Sequence, residues 1–165
     1  MEHLTLKQFM AATKSKNEGL TILSLDPGET TGWSLFSGGE LLECGQLVID
    51  QMSPSQCDDL HTIITDSGAD IVVYESYRVY AWKLKDHSWS EVHTAQVIGA
   101  IRYICAMTGI KTHRQTAQVA KQFCTDDKLK SWGLWQKGQR HARDAIRHAC
   151  YYYIFGGKGG PKEKS

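Results

Sequence analysis

Three acidic residues stand where a folded chain could gather them. Asp26 closes a short apolar run at an Asp26-Pro27-Gly28 turn, Glu75 closes Ile71-Val72-Val73-Tyr74, and Asp144 sits early in a helical stretch near the end of the chain. Carboxylates at the ends of rigid elements can converge at one edge of a sheet although they lie far apart in sequence. Packed together, they stay ionised only beside a counter-charge. Hard divalent cations such as Mg²⁺ take oxygen ligands and keep some of their waters. Two such ions about 3.5–4 Å apart stabilise both the attacking water and the leaving oxygen of a phosphodiester. The set therefore points to metal-assisted hydrolysis of a nucleic-acid backbone. Each residue taken singly has a plainer role open to it: Asp-Pro-Gly is an ordinary turn, and Asp144 is spaced to pair with Arg140 or Arg147.

His141 precedes Asp144 by three residues, so on a helix the two share a face. A histidine beside a carboxylate can complete a metal shell or move a proton near neutral pH; the alternative is a histidine on the helix surface. The other six histidines (His3, His61, His87, His93, His113 and His148) show no ligand spacing and carry no assignment.

Two stretches mix aromatics with cations. Tyr77-Arg78-Val79-Tyr80-Ala81-Trp82-Lys83-Leu84-Lys85 is the first; Lys128 to Arg140, with Lys130, Trp132, Trp135 and Lys137, is the second. Rings can stack on unpaired bases while Lys and Arg neutralise phosphates. Tyr77, Arg78, Tyr80, Lys83, Lys85, Lys128, Lys130, Lys137, Arg140 and Arg143 are thus the candidate DNA contacts. Arg140 adjoins a helix N-terminus whose dipole also favours an anion. The tryptophans and the tyrosines are equally suited to plugging the core.

The elements that must position these groups read as follows. Leu20 to Leu25, Gly32 to Phe36 and Glu40 to Ile49 are three strands; a Ser37-Gly38-Gly39-Glu40 hairpin turn joins the last two. Ser53 caps a helix that ends near Ser67-Gly68. Ile71 to Glu75 is a strand of the kind buried on both faces. A long helix runs from about Ser90 to Met107, with Val92, Ala95, Gln96, Gly99, Ala100 and Tyr103 on one side. Ile110 to His113 is the last strand, Thr116 caps a short helix through Phe123, Thr125 to Gln139 is a basic loop, and a helix spans about Arg140 to Phe155. A meander followed by alternation implies an α/β fold, a mixed five-stranded sheet with helices on both faces. Residues 1–19 are expected as an arm, a short helix or loose, with Leu4, Phe9 and Met10 on the core; 20–155 form one domain, and 156–165 a flexible tail.

Composition narrows the class. The 165 residues suffice for one core, and no apolar run approaches the ~20 residues that span a bilayer. The first nineteen residues are polar and do not read as a secretory signal. Five scattered cysteines without a Cys-x-x-Cys pair favour reduced thiols and a cytoplasmic location over disulfides or zinc. The net charge is only +1, yet from Lys121 to Arg147 seven cations face three anions. A basic end on a near-neutral chain suits a polyanion docking on one face.

Leu25-Asp26-Pro27-Gly28 with Thr31-Gly32-Trp33, then Val72-Val73-Tyr74-Glu75, then His141-Ala142-Arg143-Asp144-Ala145, together resemble the acidic motifs of the RuvC family of Holliday junction resolvases, phage-type members above all. The resemblance runs from about Leu20 to Phe155. It implies a ribonuclease H-like fold, Asp26, Glu75, His141 and Asp144 as metal ligands and catalytic residues, two Mg²⁺ or Mn²⁺ ions, a homodimer, and paired nicks in branched DNA. No membrane and no small-molecule cofactor are implied. The first loop is one residue shorter than in bacterial members. Arg78 stands where those members carry a junction-wedging phenylalanine, which would pass that task to Tyr77, Tyr80 or Trp82. The alternatives are a nuclease of the same fold acting on flaps, forks or RNA–DNA hybrids, and a non-catalytic junction-binding protein. A dimer would match two sites to the two-fold symmetry of a four-way junction; Ala95, Gly99 and Ala100 would let a partner helix approach.

Overall fold

A computed structural model describes residues 4–77 and 89–156, with side chains from residue 92 onward in the second segment. Arg78, Tyr80, Trp82, Lys83 and Lys85 lie outside the described residues, as do 157–165 of the expected tail. The chain runs α1 (Leu6–Ala12), β1 (Thr21–Asp26), β2 (Thr30–Ser37), β3 (Glu40–Val48), α2 (Pro54–Asp66), β4 (Ile71–Ser76), α3 (Trp89–Thr108), β5 (Lys111–Thr116), α4 (Ala117–Phe123), α5 (Asp126–Ser131) and α6 (Arg140–Phe155). The sheet order is β3-β2-β1-β4-β5. β1, β2 and β3 pair antiparallel, whereas β1–β4 and β4–β5 are parallel. This is the mixed five-stranded α/β sheet expected from the order of elements.

Strand alternation sorts the core into two halves. Ile22 of β1, with Ile71 and Val73 of β4, meets α1 and α6 in one apolar cluster; Leu23, Leu25, Val72 and Tyr74 meet α2 and α3 in the other. The hairpin turn falls on Gly38 and Gly39, with φ of 57° and 78°, the left-handed values a two-residue turn between twisted strands requires. Ser53 caps α2 by accepting the Gln56 N–H, and Pro54 begins the helix. The β5 strand extends to Thr116, three residues beyond the expected His113.

Two expectations are corrected, and on α3 the named side is the one that faces solvent. Leu4 is exposed; Leu6 and Met10 are the buried pair of α1, which begins with a Thr5–Gln8 capping box and brings Phe9 against Phe123 and Trp132. The expected basic loop after Thr125 contains α5, because Thr125 accepts the Lys128 N–H and Asp126 and Asp127 occupy the first turn, where the helix dipole favours acids. On α3, Val92, Ala95, Gln96, Gly99 and Tyr103 face solvent and Ala100 is half-buried. The core side is His93, Val97, Ile101, Ile104 and Cys105. Burying branched aliphatic side chains removes more apolar area from water than burying alanine and glycine, so the larger residues take the sheet.

Candidate active site

The same alternation aims the acids. Ile22, Ser24 and Asp26 share one face of β1, and Ile71, Val73 and Glu75 the same face of β4; the strands run parallel in the register Ser24↔Val73 and Leu25↔Tyr74. Asp26 and Glu75 therefore finish side by side, under α6. The Ser24 hydroxyl donates to the Ala145 carbonyl at 2.6 Å and seats the helix on the strand. At its start, α6 comes closer still. Gly32 lies opposite Asp26 in β2, and a Cβ there would meet the His141 carbonyl oxygen at 1.9 Å. Gln46, opposite Gly32 in β3, accepts the His141 N–H at 3.0 Å. Glycine on one strand and glutamine on the next thus fix where α6 begins. The Asp26-Pro27-Gly28 turn is pinned by Thr31, whose hydroxyl donates to the Gly28 carbonyl at 2.9 Å.

These contacts bring His141 Nδ1 to 2.9 Å from Asp26 Oδ2. Asp26 is pushed up to about 6, first by burial and then by the charge of Glu75, with Asp144 adding to it and His141 opposing. Burial also pushes Glu75 upward, but the hydrogen bond and charge of His148 and the charge of Lys121 outweigh it, so Glu75 lies below the ordinary glutamate range. Proximity to the Asp26 side chain acts on Glu75 in the same downward direction. Asp144 is buried and faces two side-chain cations: Arg147 Nη1 at 2.7 Å from Oδ1 and Lys121 Nζ at 3.5 Å from Oδ2. Arg147 also donates to the Cys124 carbonyl and bonds Asp126 at the start of α5.

Asp26, Glu75, Asp144 and His141 are thus gathered at one end of the sheet, close enough for Glu75 and Asp144 both to act on Asp26. The donor set is oxygen-rich and carries more negative charge between β1 and β4 than that corner neutralises by itself, which fits a hard divalent cation. As the side chains stand, no three His, Cys, Asp or Glu groups surround a single point among the described residues, and Asp144 is paired with Arg147 and Lys121.

Beside Asp144 opens a cleft of about 450 Å³ lined by Lys121, Thr125, Asp126, Arg140, Arg143, Asp144 and Arg147. Of the expected DNA contacts, Arg140 and Arg143 reach it. Lys128 turns inward: its ammonium donates to the Phe123 carbonyl at 2.8 Å and lies 3.6 Å from the centre of the Phe123 ring. Lys130 and Arg143 both lie over the Trp135 ring, and Trp132 and Trp135 pack on the core. Lys137 is exposed on the loop before α6, and Tyr77 is half-buried just past β4.

The sequence-based alternative that Asp144 pairs with Arg147 is borne out, whereas Lys121, His148 and Gln115 were given no role at the site. His148 follows Asp144 by four residues, a spacing that places it on the acidic face of α6 and was legible in advance. It is fully buried, with Nε2 3.0 Å from Glu75 Oε2. Among the described residues no helix is long and apolar enough to cross a membrane.

No protein-family model and no curated protein matches the sequence. Among solved structures, Thermus thermophilus RuvC in complex with a Holliday junction substrate superposes with a TM-score of 0.65 at 14% identity, covering 82% of this chain and 94% of that one. A second Thermus thermophilus RuvC structure gives a TM-score of 0.59 at 14% identity, covering 82% and 95%. With three antiparallel strands leading into a parallel pair, and a final helix laid across their acid-bearing end, this chain has the ribonuclease H-like fold of RuvC.

Proposed function

We propose that this protein is a divalent-metal-dependent endonuclease that hydrolyses phosphodiester bonds in branched DNA, four-way junctions first among its substrates. One observation carries the reading: β1, β4 and α6 bring Asp26, Glu75 and Asp144 to one end of one sheet face, beside a cationic cleft. The shared fold with a RuvC bound to a Holliday junction substrate supports the choice of substrate.

Asp26, Glu75 and Asp144, with His141 at the rim, would hold Mg²⁺ or Mn²⁺, in the two-ion arrangement the family resemblance implies. When bound, such ions activate water and neutralise charge on the scissile phosphate. The chain's own side chains do the rest. Lys121, Arg140 and Arg143 attract the strand into the cleft. His141, held through Nδ1 by Asp26, has Nε2 left either to complete a metal shell or to exchange a proton with the reacting groups. Asp144, which pairs with Arg147 and Lys121 in this structure, would ligate an ion by releasing Arg147. A homodimer suits a two-fold junction, and the exposed apolar line Val92, Tyr103 and Met107 along α3, with Gly99 between, supports that helix as the contact. Free cysteines accord with action in the cytoplasm.

The deciding experiment incubates purified protein with labelled four-way junctions, forks, flaps and RNA–DNA hybrids in Mg²⁺ or Mn²⁺. Paired nicks on junctions that vanish in Asp26→Asn support the reading. Faster cutting of hybrids or flaps transfers the site to another substrate, and equal products from wild type and Asp26→Asn remove the metal chemistry.

A further inference from the structure

Glu75 and Gln115 are register partners on the parallel strands β4 and β5, and His148 of α6 lies over both. Gln115 is buried. Its amide Nε2 donates to the backbone carbonyl of His148 at 3.2 Å, and its Oε1 lies 3.2 Å from His148 Nδ1. A carbonyl accepts and never donates, so the amide nitrogen is fixed on the His148 carbonyl and the amide oxygen on the ring. Nδ1 must therefore carry a proton. The ring is held from both ends: its remaining nitrogen, Nε2, falls on Glu75 Oε2, and because an ionised carboxylate only accepts, Nε2–H is the donor there. Both polar atoms of the Gln115 amide and both ring nitrogens of His148 have partners, as buried polar groups require.

We propose that Gln115 and His148 are positioning residues for Glu75. Together they clamp its Oε2 and leave Oε1 as the oxygen presented to a cation in the acidic corner. Side chains that hold a ligating carboxylate from behind set its orientation, and losing them typically weakens metal binding about 10–100-fold. The inference rests on the reading of Glu75 as a cation ligand. It assigns a role to a glutamine and a histidine whose side-chain hydrogen bonds go to each other and to Glu75 rather than to Asp26 or Asp144. It also explains why fully buried His148 faces the acidic corner rather than the aliphatic cluster around it.

The test is Mn²⁺ titration of the full-length protein followed by electron paramagnetic resonance, with Glu75→Gln as reference. Circular dichroism reports folding. Gln115→Met removes both amide hydrogen bonds at similar volume, and His148→Ala removes the clamp. Both are expected to weaken Mn²⁺ about 10–100-fold, while His148→Gln, whose amide N–H can reach Glu75, should recover part of that loss. If His148→Ala does not fold, Gln115→Met and His148→Gln carry the comparison. Wild-type affinity in Gln115→Met and His148→Ala beside a weakened Glu75→Gln overturns the clamp alone. Wild-type affinity in Glu75→Gln overturns the nuclease-site reading and the clamp with it. Histidine ring NMR gives a second readout: a proton on Nδ1 of His148, rapidly exchanging in Gln115→Met and protected in wild type. An unprotonated Nδ1 in wild type overturns the proposal.

Discussion

The Cα of Gly32 lies against the backbone of His141, where an added Cβ would stand 1.9 Å from its carbonyl oxygen and 2.7 Å from the Ala142 nitrogen. Backbone cannot yield as a flexible side chain does, so Gly32→Ala must push the start of α6 off β2. Overpacking of this kind costs about 1–3 kcal/mol, occasionally more. The same displacement separates His141 from Asp26. We expect a lower urea midpoint and at least a tenfold loss of cleavage; wild-type stability would contradict the seating of α6 on this glycine.

Asp26→Asn should separate activity from stability. With its folded value near 6 against 3.8, the folded protein holds this proton more tightly than the unfolded chain does. The resulting stabilisation is complete below about pH 3.8 and lost as pH rises through about 6. Above that, the ionised carboxylate strains the metal-free protein. At roughly 1.4 kcal/mol per tenfold change in proton affinity, relief is worth up to about 3 kcal/mol. Asp26→Asn should therefore melt higher than metal-free wild type at neutral pH, lose the advantage near pH 4, and cut no DNA. Thermal melts across pH check it, and a variant that melts lower at neutral pH refutes it.

Arg147 joins Asp144 on α6 to Asp126 on α5. Removing one partner of a buried ion pair costs about 3–5 kcal/mol, here softened by Lys121 at 3.5 Å from the same carboxylate. Arg147→Met should lower Tm strongly in metal-free buffer and less in Mg²⁺, since a bound cation takes over the charge of Asp144. Equal losses in both buffers would show that Asp144 does not meet the metal.

Salt dependence distinguishes cleft from frame. Lys121 and Arg140 line the cleft, so Lys121→Ala and Arg140→Ala, made in an Asp26→Asn background, should each reduce the slope of log affinity against log salt by about 0.9. Lys128 is spent on the Phe123 carbonyl and ring. Lys128→Ala should leave the slope unchanged and lower Tm. Fluorescence anisotropy on a four-way junction measures both.

The order of elements along the chain and the three acids were legible because each signal was local. Apolar runs end at turns, and the period of two carries Asp26 and Glu75 to one face with Ile22 and Ile71. His141 was legible through its three-residue offset from Asp144. Lys121, Gln115 and the partner of His148 were not, since their roles depend on the β4–β5 register and on how α4 meets α6, neither of which has a signature in neighbouring residues. The α5 helix was hidden by its basic charge, although Thr125 with two following acids is a helix start. Lys128 illustrates the opposite error: a lysine in a basic stretch reads as solvent-facing until its neighbours are known.

The β1–β4 pairing joins strands on either side of α2, and the His141–Asp26 contact spans 115 positions along the chain. A nascent polypeptide that has emerged from the ribosome only through β5 has two of the acids and none of α6. It lacks Asp144, His141, Arg140 and the wall of the cleft. Domains generally fold as units during synthesis, and distant pairings form late. Under the proposed function no cleavage-competent site exists until α6 has been made, so products that stop short of it should be unable to cut DNA.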